Sequence, residues 1–204
     1  MLGRRRSFDK DKMLDNLMNV FWRHGYAGTS MSHLTDETGL TKPSLYAAYG
    51  NKEDMYCAAL GSYLQLQSEE VYAKLADDGR SLAETLSDFL KATAKGATRP
   101  GRPKGCFIAG ASCDAQADLL PEKALAQITQ INEMGNDMLA EVLRVHLGAN
   151  ADRDAEILAN YILVLQNGLV QLAIRGADSA ALEATANVAM EGLNALLSSR
   201  IHSS

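Results

Sequence analysis

Residues 25–53 read GYAGTSMSHLTDETGLTKPSLYAAYGNKE, and the fold is decided within them. Thr29-Ser30 offer N-cap oxygens for a short helix to about Thr38, and Gly39-Leu40 make a tight break. Thr41 caps a second short helix whose Pro43 falls in the first turn, where its missing N–H costs nothing, and Gly50 stops it. Asn51 then caps a longer helix, with Asp54 three residues on completing a capping box. Two helices too short to be stable alone, joined by a glycine-containing turn, form a helix-turn-helix arrangement, in which the second helix enters the DNA major groove. Met31, Leu34, Leu40 and Leu45 are expected to face inward. That leaves Lys42, Pro43, Ser44, Tyr46 and Ala47 on the outer face, slender enough to approach base edges, with hydroxyls and an ammonium able to reach phosphate. Lys52 opens the next helix, where backbone N–H groups already favour an anion.

Outward from this stretch everything reads as helix. Phe8, Leu14, Leu17, Met18 and Phe21 mark one buried stripe of a first helix from about Ser7 to Arg23, ended by Gly25. Downstream, the helix opened by Asn51 runs to about Leu75, and others are expected over 81–97, 106–117, 121–147, 153–175 and 179–199. The run Arg99-Pro-Gly-Arg-Pro-Lys-Gly105 is the strongest break. With no period-two alternation, the fold class is all-α.

The 204 residues are 47% hydrophobic and 22% charged, an ordinary globular composition with enough length for a substantial core. The net charge of −5 hides an asymmetry. Residues 1–52 hold eight basic against five acidic side chains (net +3), and residues 53–204 hold twelve against twenty (net −8), so a polyanion would be met through the N-terminal end. Three cysteines suit a reducing cytosol rather than a disulfide framework. The basic start lacks the apolar stretch of a secretory signal. The most apolar segment, Ile157 to Ile174, carries Asn160, Gln166, Asn167 and Gln171, amides that would need partners in lipid, so a buried helix and no membrane span is expected.

The residues Gly25-Tyr26-(x)2-Thr29-Ser30-Met31-(x)2-Leu34, then Thr38-Gly39-Leu40-Thr41-Lys42-Pro43-Ser44-Leu45-Tyr46-(x)2-Tyr49-Gly50-Asn51-Lys52-Glu53, closely resemble the DNA-binding signature of TetR-family transcriptional regulators. Thr35 and Thr38 stand where the family usually has alanine, Ala48 replaces its His or Tyr, and Tyr49 its Phe. The resemblance implies a three-helix DNA-binding domain over 1–52 and a helical ligand-binding and dimerisation domain over 53–204. It also implies a cytoplasmic homodimer, usually a repressor, that a small organic effector releases from a double-stranded operator. Carried over by matched position, the DNA contacts are Thr29, Thr41, Lys42, Pro43, Ser44, Tyr46 and Lys52, with Thr29, Tyr46 and Lys52 on phosphate and 42–44 on the groove floor. Arg4-Arg5-Arg6 would form a flexible arm on the DNA or a solvated tail. Tyr49 is expected in the core between the third and fourth helices, and Trp22 in the core as well.

The second domain is less determined. Gly105-Cys106-Phe107-Ile108 resembles a Gly-Cys helix start of one subgroup, some of whose members respond to electrophiles or oxidants. Cys106 falls at an expected helix N-terminus after Arg99, Arg102 and Lys104, features that stabilise thiolate; the alternative is a small buried hydrophobe. Cys113, seven residues on, would stand about 10 Å away, beyond the roughly 7 Å reach of a disulfide. Effector-site candidates are Phe89, Thr93, Cys106, Phe107, Asn132, Tyr161, Leu165 and Gln166, each of which could equally be plain packing. The last two helices should pair between subunits, the first being apolar nearly all round and the second repeating Leu182, Ala186, Ala189, Leu193 and Leu197. A cysteine-dependent enzyme with His24 or His146 as base is the rival class. No nucleophile–base–orienter spacing or metal-ligand pattern supports it, and no cofactor is expected.

Overall fold

The computed structural model describes residues 2–76, 78–148 and 152–201, with side chains described for 10–76, 78–148 and 152–197. Among them are nine α-helices and one 3₁₀ turn: α1 (Leu2–Gly28), α2 (Met31–Thr38), α3 (Lys42–Tyr49), α4 (Lys52–Glu70), the 3₁₀ turn (Tyr72–Leu75), α5 (Leu82–Ala97), α6 (Phe107–Gln116), α7 (Glu122–Leu147), α8 (Asp152–Ile174) and α9 (Ser179–Ile201). The all-α expectation holds.

Two boundaries differ from the sequence reading. α1 begins at Leu2 rather than Ser7, so residues 4–6 lie on its helical backbone instead of in a flexible arm, and it resumes beyond Gly25, the one residue with non-helical angles (φ 66°, ψ 179°). α4 ends at Glu70, and the chain to Leu75 tightens into the 3₁₀ turn.

The chain divides into two compact units, residues 1–66 with 106–131, and residues 67–105 with 132–204. The division thus falls inside α4 and α7. In the first unit Leu17, Met18 and Phe21 of α1, Leu34 of α2, Leu45 of α3, and Met55, Tyr56, Leu60 and Tyr63 of α4 close one core, which Phe107 and Ala111 of α6 and Ala124 and Ile128 of α7 complete. Its centre is aromatic. Phe107 meets Tyr56 edge-on at 5.6 Å and Tyr63 at 5.8 Å, and stacks near Trp22 at 6.4 Å. Such pairs favour these offset geometries because ring edges are positive and faces negative.

In the second unit α5, α8 and α9 pack on one another. α8 presents Ala155, Leu158, Ala159, Ile162, Leu169, Val170 and Ala173 inward, while its other side leaves Ile157, Tyr161, Val164 (66% exposed) and Leu172 uncovered. α8 is long and apolar enough, by length and composition, to cross a membrane; the inward stripe shows that one side of it serves a protein core. On α9, Leu182, Ala186, Leu193 and Leu197 are buried within the subunit, so the repeat expected to pair subunits is intramolecular. The opposite side carries Ala181, Ala184, Val188 (68% exposed), Ala195 and Leu196.

Candidate functional site

The two short helices are set by their caps. Ser30 Oγ accepts from the His33 N–H (3.1 Å) while His33 Nδ1 accepts from the Ser30 N–H (3.3 Å), a capping box with histidine in the usual Glu/Gln role. Gly39 takes a left-handed conformation (φ 69°) and ends α2. The buried Thr38 closes the turn from inside. Its hydroxyl donates to the Leu34 carbonyl (2.6 Å) and accepts from the Leu40 N–H (3.3 Å). Thr41 caps α3, accepting from the Ser44 N–H (3.4 Å), with its hydroxyl 3.0 Å from that of Ser44.

Leu45, fully buried, is the pin that orients α3. Around it Thr41, Lys42, Pro43, Ser44, Tyr46, Ala47 and Ala48 are all exposed, Tyr46 at 48%. The helix therefore presents hydroxyls, one ammonium and small side chains to solvent on every side but one. Lys42 has no ion-pair partner among the described residues. Lys52 opens α4 with its ammonium 4.5 Å from the centre of the Tyr26 ring, a cation–π contact. Partial burial there lowers its pKa.

Thr29 departs from expectation. It is 2% exposed and its hydroxyl donates to the Gly25 carbonyl (2.6 Å), so it fastens the loop between α1 and α2 and offers no free group to a phosphate. Tyr49 is half-buried as expected, but its hydroxyl reaches the Lys10 carbonyl (2.9 Å). It thereby ties α3 to α1, while its ring packs against the core that α4 shares.

One contact was not foreseen from sequence. Asp54 Oδ2 accepts from the Asn51 N–H (3.2 Å) and Oδ1 accepts from Lys123 Nζ (2.5 Å), while Gln127 Nε2 donates to the Cys57 carbonyl (3.1 Å). Lys123 and Gln127, four apart on α7, thus grip α4 at two points one turn apart. Only the i,i+3 capping signal was local enough to read. The Lys123 hydrogen bond and the Asn51 N–H hold the Asp54 carboxyl below its ordinary range, and the pair raises Lys123. A depressed carboxyl contributes stability above its unfolded pKa, about 3.9, and loses it as pH falls through the lower folded value; a raised lysine keeps its contribution below about 10.4. Asp54→Asn should therefore flatten the stability–pH curve below about pH 4 in acid titration of the folded protein. An unchanged acid limb would contradict this role.

The effector-site candidates scatter. Phe89, Thr93 and Gln166 come together in the second unit, Gln166 Nε2 donating to Thr93 Oγ1 (3.4 Å). Phe107 is 2% exposed in the aromatic core of the first unit, not a cavity wall. Tyr161 lies on the uncovered side of α8. Asn132 is exposed and Leu165 half-buried. Cys106 is the N-cap of α6, as expected, but its pKa is raised, first by burial, against a smaller opposing hydrogen bond from Tyr63. The basic residues before it are otherwise engaged, Arg99 with Glu70 and Lys104 with the Thr98 carbonyl. Periodicity placed Cys106 at the helix start but could not show that its thiol faces the aromatic core. His24 stacks on His33 (4.7 Å) and His146 Nδ1 lies 2.8 Å from the Val142 carbonyl.

Residues 13–59 match the family model of bacterial regulatory proteins, tetR family. The transcriptional repressor ComR of Escherichia coli K12 is 38% identical over 106 residues, 52% of this chain and 50% of that protein, so the chain matches about half of its length. The uncharacterised transcriptional regulator YezE of Bacillus subtilis 168 is 28% identical over 196 residues, 95% of this chain and all of that one. Among solved structures, a cysteine-substituted variant of the TetR-family regulator CifR, complexed with a 26-base-pair operator, is similar with a TM-score of 0.73. It is 27% identical, covering 89% of this chain and 95% of that one.

Proposed function

We propose that the chain is a TetR-type transcriptional regulator, a cytoplasmic repressor which binds a near-palindromic operator as a homodimer and is released by a small organic effector. The family match over residues 13–59 and the likeness to ComR and CifR support this reading. The observation that carries this is α3, with one buried pin at Leu45 and an otherwise exposed surface of hydroxyls, ammonium and small groups. Residues 1–52 act as the DNA-binding domain and 53–204 as the ligand-binding and dimerisation domain.

In this reading Lys42, Pro43 and Ser44 meet the groove floor, Tyr46 and Lys52 meet phosphate, and Thr41 lies at the DNA-facing start of α3 as its cap. Thr29 is left out because its hydroxyl is spent internally. Two copies joined through the uncovered apolar sides of α8 and α9 would form an intermolecular four-helix bundle. A large exposed apolar surface of this kind is uncommon on a lone soluble chain. A two-fold dimer sets its reading helices about one DNA turn, roughly 34 Å, apart, which makes the operator palindromic. Effector binding that shifts this spacing needs a coupling of only about 1–3 kcal/mol, a 5- to 150-fold change in affinity.

The test is retardation of a duplex from just upstream of the protein's own gene at low ionic strength. Failure to retard it, or any duplex, removes the proposal. Lys52→Ala should weaken binding to all sequences about equally and reduce the slope of log affinity against log salt by roughly one unit. A loss confined to one sequence would contradict a phosphate contact.

A further inference from the structure

A groove of about 820 Å³ in the second unit is lined by the 3₁₀ turn and the latter half of α7, with Tyr72, Leu75 and Met138 as apolar walls and Asp137, Glu141 and Arg144 as the charged ones. A smaller recess of about 170 Å³ shares Leu75, Ala76, Glu141 and Val142 with it and reaches Thr85 and His146. Tyr72 backs edge-on onto Phe89 at 5.6 Å, one of the residues the sequence assigned to an effector site. None of the groove's walls was foreseen, because their approach depends on the 3₁₀ turn that replaced the end of a helix.

The charges around this groove are unevenly committed. Arg80 gives Nε to both Asp78 oxygens (2.7 and 2.8 Å), Nη1 to Asp88 (2.7 Å) and Nη2 to the Lys74 carbonyl (3.1 Å). Arg144 is shared by Glu141 (3.4 Å), Asp152 (3.3 Å) and Glu156 (3.9 Å). Both guanidinium groups in the walls are thus occupied by carboxylates of the protein. Asp137 has no hydrogen-bond or ion-pair partner among the described residues. An entering anion would have to displace an internal carboxylate, whereas a cation finds a free one. The remaining walls suit an apolar body. Met138 is 42% exposed, its thioether adapts to irregular shapes, and Tyr72 offers an aromatic ring.

We propose that this groove binds an organic cation with an apolar body, an alkyl- or arylammonium, its charge paired with Asp137 and its hydrocarbon laid between Tyr72, Leu75 and Met138. This deepens the regulatory reading by naming the effector's class, and rests on that reading for the effector role but not for the binding itself.

The matched probes are 4-phenylbutylammonium and 4-phenylbutyrate, which share a body and differ in charge, titrated calorimetrically into the full-length protein without DNA. The expected result is saturable binding of the cation, one per chain, at least about tenfold tighter than the anion. Asp137→Asn should weaken the cation about tenfold without affecting the anion, and Met138→Lys should abolish cation binding while circular dichroism stays parental. Equal affinity for both probes, no saturation by the cation, or an unchanged affinity in Asp137→Asn overturns the proposal. Adding the cation to the retarded DNA complex then tests the effector role separately. Binding through Asp137 with the complex intact would remove the groove from regulation, whereas failure of the apoprotein to retard DNA would remove the regulatory reading itself.

Discussion

Tyr46→Ala is expected to reduce affinity for operator DNA by about 10- to 100-fold per half-site while leaving the melting temperature nearly unchanged. Tyr46 is among the exposed large side chains, at 48%, on a helix held by Leu45. Its removal opens no cavity, and surface substitutions of that kind usually stay within about 0.5 kcal/mol. A hydrogen bond to a charged phosphate oxygen, by contrast, is worth about 1.5–3 kcal/mol, and each 1.4 kcal/mol is tenfold in affinity. Parallel fluorescence anisotropy and thermal melts check both halves. A melting point lowered by many degrees would make Tyr46 a structural residue, and unaltered DNA affinity would remove it from the interface.

Gly50→Ala is expected to be strongly destabilising, costing about 3 kcal/mol. Gly50 has φ 82° and ψ −152°, a region essentially reserved for glycine, where other residues pay about 1–3 kcal/mol. A Cβ there would also lie 2.5 Å from Asp54 Oδ2 and 3.0 Å from its Cβ and Cγ. The carboxylate would have to leave the Asn51 N–H and Lys123, losing a cap worth about 0.5–2 kcal/mol. At about 2–4 °C per kcal/mol for a chain of this size, the midpoint should fall by roughly 6–12 °C. Gly110→Ala is the comparison. That glycine lies in α6 with nothing within 4 Å of an added Cβ, so alanine should stabilise by about 0.5–1 kcal/mol. Equal effects of the two variants would refute the backbone argument.

What was legible before the structure was what short-range chemistry specifies. Ser30, Thr41, Asn51 and Ser81 each cap a helix where sequence placed one, because an oxygen three residues ahead of an orphan N–H is a local signal. Leu34 and Leu45 are buried as their spacing required. The misses concern partners rather than faces. Periodicity marked Phe107, Tyr161 and Cys106 as helical and mostly apolar. It could not say that Phe107 joins the aromatic core, that Tyr161 lies on the uncovered side of α8, or that burial pushes the Cys106 thiol pKa up. Thr29 failed for a related reason, since a hydroxyl beside a helix start can serve the loop's own backbone before it serves a ligand. The Lys123–Asp54 bond spans sixty-nine residues, a separation at which sequence spacing carries no information.

Thr38 has a consequence for the thermodynamics of recognition. Its hydroxyl bridges the Leu34 carbonyl and the Leu40 N–H. The turn between α2 and α3 is thereby braced from within, with no duplex present. A segment that must fold onto its target spends part of the gross contact energy on ordering itself. On the proposed function this one begins already braced, which would leave a larger share of each contact for telling one base sequence from another.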